Sequence, residues 1–161
     1  MALSLAFSQA VFVASSATGA ELHDPNAAYA VVSRCLSDAR ADPAAARACI
    51  GVASTPCGRD ARGDRVIAEA KCVAAEGSAW DRALNEDYGR ARARLDAAGR
   101  RVLLDAQRKW LAFRDAGCAV WASAEAGDRG RARRLDCLRT QTALRTIDLR
   151  ALAAPASSAA R

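Results

Sequence analysis

Histidine is nearly absent from this chain of 161 residues: only His23 is present, close to the N-terminal end. That removes the usual general base, and with it histidine triads and histidine-rich metal sites, from the body of the protein. Lysine is almost as rare, at Lys71 and Lys109 only, although lysine and arginine together number 24. Aromatic residues make up 5% and β-branched residues are scattered, so no segment has the alternation of a strand. No glycine-rich phosphate loop occurs. The longest apolar run, Leu3–Ala14, is too short to span a bilayer.

What remains is rich in alanine and arginine, both strong helix formers. The length suits one domain with a modest core. Residues 1–20 carry an apolar run followed by small residues, and Thr18 and Ala20 fit a signal-peptidase site. Residues 1–20 are therefore expected to be a signal peptide, directing the mature chain to the periplasm or beyond. No cysteine follows the cleavage point closely, which argues against a lipid anchor.

Six cysteines, at positions 35, 49, 57, 72, 118 and 137, form an even set suited to an oxidising compartment. Helix start signals place them in pairs. Asp24-Pro25 and Asp42-Pro43 each put an N-cap before a proline at the first helical position. Helices then run to about Arg40 and about Ala53, with Cys35 and Cys49 equidistant from Asp42. An antiparallel hairpin sets these two level. Ser54–Asp64, with its prolines and glycines, reads as a loop, and Cys57 in it closes on Cys72. Cys118 and Cys137 flank the turn at Gly127 and Gly130 in the same way.

Two long amphipathic helices follow the loop, over 65–95 and 97–125, and a last one over 129–152. Trp80 lies on the apolar stripe of the first. On the second, Leu103, Ala106, Trp110, Phe113, Gly117 and Val120 step by three and four residues, as in antiparallel bundles. The expected fold is all-α, a disulfide-pinned antiparallel bundle of about five helices without a sheet. Residues 21–56 form an N-terminal hairpin, 57–153 the main helical domain, and 154–161 a disordered tail.

Leu84-Asn85 with Tyr88, the block Gln107, Arg108, Trp110, Phe113, Arg114, Asp115, Cys118, and cysteines at 57, 72, 118 and 137 together resemble the LprI-like lysozyme inhibitor domain. The resemblance covers residues 57 to about 150. It implies a small exported bacterial protein that acts by binding a protein, such as a lysozyme, and not as an enzyme.

No cofactor or metal is expected, because every cysteine has a partner and the spacings do not fit zinc. Glu69 with Glu76, and Glu86 with Asp87, are carboxylate pairs in principle able to cleave glycosides. Their place at the border of the stripe reads instead as solvated helix charge. Arg114 and Asp115 are expected to hold neighbouring helices in register.

Charge is uneven. Residues 21–87 hold 8 basic and 11 acidic side chains, a balance of −3, and residues 88–161 hold 16 and 7, a balance of +9. The basic half suits anionic envelope material as an alternative partner; nucleic acid is not expected. Trp121 beside Arg129, Arg131, Arg133 and Arg134 is the candidate interface anchor. The acidic stretch at Asp60, Asp64 and Glu69 is the candidate contact for a basic lysozyme.

Overall fold

The computed structural model describes residues 21–40, 42–60 and 63–154. The expected signal peptide and all but the first residue of the expected tail lie outside these. A single 3-10 turn, Glu21–His23, leads into six α-helices: α1 (Pro25–Ala39), α2 (Pro43–Ala48), α3 (Ser54–Asp60), α4 (Arg65–Ala93), α5 (Ala97–Ala124) and α6 (Gly127–Ala153). No strand occurs among the described residues.

Local chemistry sets most helix starts. Asp24, Asp42, Asp64 and Asp96 each accept a backbone N–H one or two residues into the following helix. Each cap satisfies a donor that the first turn leaves orphaned. At the far end of α5 the chain reverses through Gly127, whose φ of +72° suits glycine.

Gly130, in the first turn of α6, is required for a different reason. A Cβ there would stand 1.7 Å from the Glu125 carbonyl oxygen. Gly130→Ala is therefore expected to destabilise the protein by about 1–3 kcal/mol through overpacking. Thermal melts of the oxidised protein measure this. An unchanged melting temperature would show that the turn can rearrange freely.

α6 lies between the other two long helices. It packs along α4 on one side and along α5 on the other. Its buried residues Thr142, Ala143, Thr146, Ile147 and Leu149 are consequently not confined to one narrow stripe. Near its end Leu152 is 48% exposed, while Ala153 packs against the smaller core cluster.

The main core joins Leu22, Val32, Leu36, Trp80, Ala143 and Ile147 with many alanines and the cysteines of two bridges. A smaller cluster holds Leu84, Ala91, Leu103 and Leu149, with Trp110 against it. The three disulfides are Cys35–Cys49, Cys57–Cys72 and Cys118–Cys137, the pairs that hairpin symmetry selects. A core so rich in alanine buries little area per residue, and cross-links compensate for that.

Two expectations are corrected. The segment read as a loop contains α3, and its cap comes from a distance. The Glu76 carboxylate on α4 accepts from the N–H groups of Gly51, Ala53 and Ser54 at 2.7, 3.1 and 2.6 Å. Pro56 falls in the first turn of α3, where its missing N–H leaves no gap.

The second correction concerns α5. Its inward line is Leu103, Gln107, Trp110, Arg114 and Cys118, while Ala106, Phe113, Gly117 and Val120 face outward. The polar members of the inward line are satisfied on α6: Arg145 donates to Gln107 at 3.0 Å, and Arg114 donates to Thr142 at 3.2 Å. Arg114 thus ties α5 to α6, while its ion-pair partner Asp115 stays exposed at the surface.

Candidate functional site

The start of α4, the start of α6 and the end of α5 meet around an open groove of about 570 Å³. Val66, Ala70 and Val73 of α4 supply an apolar wall, since they fall on one side of that helix. Ala132, Arg133, Asp136 and Thr140 of α6 face them. Trp121 projects from the last turn of α5 and forms the lip, 45% exposed. The Arg133 guanidinium carbon stands 5.8 Å from the centre of the Trp121 ring. Arg133 also forms an ion pair with Glu125 across the turn, so its position is held from two sides. Glu69 lines the α4 side, paired with Arg65 at 2.7 Å, and Asp136 is paired with Arg139.

Of the residues expected at an interface, the groove joins Trp121, Arg133 and Glu69. Arg129 and Arg131 are exposed beside the turn, with Arg131 3.1 Å from Asp128, and Arg134 is half-buried. Asp64 heads α4 as its N-cap, accepting from Val66 and Ile67 at 3.0 and 3.2 Å, and does not line this groove. Asp60 closes α3; its side chain lies outside the described atoms.

The four carboxylates weighed for acid–base work have other engagements. Glu69 and Glu86 sit near the surface, and Glu86 accepts from the Tyr29 hydroxyl at 2.7 Å. That hydrogen bond, with burial, raises the Tyr29 pKa. Glu76 and Asp87 depart from the expectation of solvated charge, being fully buried. Asp87 accepts from Arg90 at 2.7 Å and lies 3.8 Å from Arg150, which also donates to the Leu36 carbonyl at the end of α1.

Glu76 receives, besides three backbone N–H groups, the Trp80 indole N–H at 3.0 Å and Arg139 at 3.4 Å. Burial pushes its pKa up, but the Ser54 and Gly51 N–H groups and Arg139 outweigh this and hold it below its ordinary value. The sequence carries one signal for this residue. Glu76 lies three residues after Val73 and four before Trp80, on the side of α4 that is buried. Nothing local reveals Arg139.

His23 is also not the free terminal residue that its position suggests. Its Nδ1 lies 3.6 Å from Cys57 Sγ and 3.7 Å from Cys72 Sγ. The three groups are close enough to hold a metal ion in geometric terms. The two sulfurs are bonded to each other, however, and a disulfide offers no thiolate ligand.

The groove contains an amphipathic aromatic, apolar side chains and charges of both signs, the composition of a protein-docking surface. Comparison with curated proteins and with solved structures gives no match. Residues 57–149 match the family described as lysozyme inhibitor LprI. These residues span α4, α5 and nearly all of α6, together with the Cys57–Cys72 and Cys118–Cys137 bridges. The chain therefore belongs to the lysozyme inhibitor LprI family.

Proposed function

We propose that this protein is a lysozyme-inhibitor-like binding protein of an oxidising, extracytoplasmic compartment. Its docking surface is the groove under Trp121, with the adjacent turn bearing Arg129 and Arg131. The observation that carries this assignment is Trp121 itself: a tryptophan left partly open beside an apolar wall and braced by Arg133. A glycoside hydrolase places two carboxylates along its cleft. Guanidinium groups on a projecting turn complement that cleft locally, even though the net charge of +6 does not favour long-range attraction to a basic enzyme. Disulfides throughout, with no free cysteine among the described residues, suit a compartment outside the cytoplasm.

The test is a lysozyme turbidity assay with the oxidised mature chain. Inhibition is expected, and Trp121→Ala should weaken it by roughly 30-fold, the loss of a hot spot of about 2 kcal/mol. The variant should melt at the wild-type temperature, because Trp121 lies outside both buried clusters. Absence of inhibition at about a tenfold molar excess over a micromolar enzyme would sink the assignment. Strongly salt-dependent binding to anionic vesicles in its place would support the envelope-surface reading of the basic half.

A further inference from the structure

α5 carries a second seam that no other described residue covers. It lies almost wholly on α6 and touches α4 little. Of the large apolar side chains exposed among the described residues, six belong to α5: Val102, Leu104, Leu111, Phe113, Val120 and Trp121. Three of these, Val102, Phe113 and Val120, are 69%, 68% and 63% exposed. With Ala106, Lys109 and Ala116, all exposed, they form one line along the helix. The steps between members are four, three, four, three and four residues, which read the same in either direction. This line is distinct from the inward one of Leu103, Gln107, Trp110, Arg114 and Cys118, about a third of a turn around the helix.

We propose that this seam binds a second copy of the same chain, forming a symmetric antiparallel helix pair. A two-fold axis between Lys109 and Phe113 sets Val102 against Val120 of the second copy, and Ala106 against Ala116. It sets Lys109 against Phe113. The only charge on the seam thus meets an aromatic ring, not another cation. Lys109 is paired with Asp105 at 2.8 Å within its own helix, which leaves its aliphatic stem free to lie over the ring. The spacing is that of a coiled-coil seam, and a lone lysine at such a position fixes register. Alanine on either side of the axis lets the helices approach closely. The seam from Val102 to Val120 is about 27 Å long at 1.5 Å per residue. Parallel pairing would place Phe113 on Phe113 and Lys109 on Lys109, which the antiparallel arrangement avoids.

Sedimentation equilibrium on the full oxidised chain tests this. A reversible dimer is expected. Val102→Glu should raise its dissociation constant by about tenfold or more, the loss of an apolar contact at each end of the seam. Adding Val120→Lys to that variant should restore the dimer, because the two positions oppose each other across the axis. Both positions are exposed in the single chain, so circular dichroism and melting behaviour of the monomer should not change. A chain that remains monomeric at its highest soluble concentration overturns the proposal. So does a dimer indifferent to Val102→Glu, or failure of Val120→Lys to restore it.

Discussion

Replacing Glu76 with alanine is expected to remove about 3–5 kcal/mol of folding stability, the usual result of deleting one partner of a buried charge pair. The effect is large because five donors converge on one carboxylate. Without it, the N–H groups of Gly51, Ala53 and Ser54 lose their acceptor, and so does the Trp80 indole. The start of α3 then has no cap, and the mostly buried Arg139 guanidinium loses one of its two carboxylates and keeps Asp136. Denaturant unfolding under non-reducing conditions measures the loss; a change below about 1 kcal/mol would refute this account.

Acidity should act through the same residue. Its folded-state pKa lies below the ordinary carboxylate value. The stability it contributes is therefore complete above the unfolded-state value and is lost as pH falls through the folded-state one. In Glu76→Gln this part of the acid dependence should disappear, leaving a flatter profile below the ordinary carboxylate range.

Trp80→Ala is expected to cost about 3–5 kcal/mol, since the largest fully buried side chain leaves a cavity at the centre of the main core. Trp80 joins α4 to α6: its carbonyl accepts from Thr146 at 3.4 Å, and its ring packs among residues of α1 and α6. The loss should not add to that of Glu76→Ala, because each mutation breaks the same indole–carboxylate bond. A double-mutant cycle should give a coupling of about 0.5–3 kcal/mol. Strict additivity would mean that the hydrogen bond contributes nothing.

Features built from near neighbours were readable in the sequence. Asp24 and Asp42 announce helix starts because a cap acts within one turn. The cysteine pairs follow from hairpins whose turns are marked locally. α3 was hidden because its cap, Glu76, arrives from another helix. The rotation of α5 was hidden for a related reason. Apolar spacing along α5 contains two seams, and a reading by periodicity takes alternate members of each: Leu103 and Trp110 from one, Ala106, Phe113 and Val120 from the other. Only the partners on α6, Arg145 for Gln107 and Thr142 for Arg114, decide which seam turns inward. In the groove, Trp121 and Arg133 are neighbours across a turn and could be paired from sequence. The α4 wall could not.

The three bridges close consecutive cysteines, at separations of 14, 15 and 19 residues. A chain that emerges N-terminus first therefore offers each new thiol its correct partner before any wrong one, provided that each earlier pair has closed by then. Oxidation in order of appearance gives the native connectivity out of the fifteen arrangements open to six cysteines. Such a chain needs an oxidant, but not an isomerase to shuffle mispaired sulfurs. Once α3 and α4 have packed, the second bridge is buried beneath His23, out of reach of later thiol exchange.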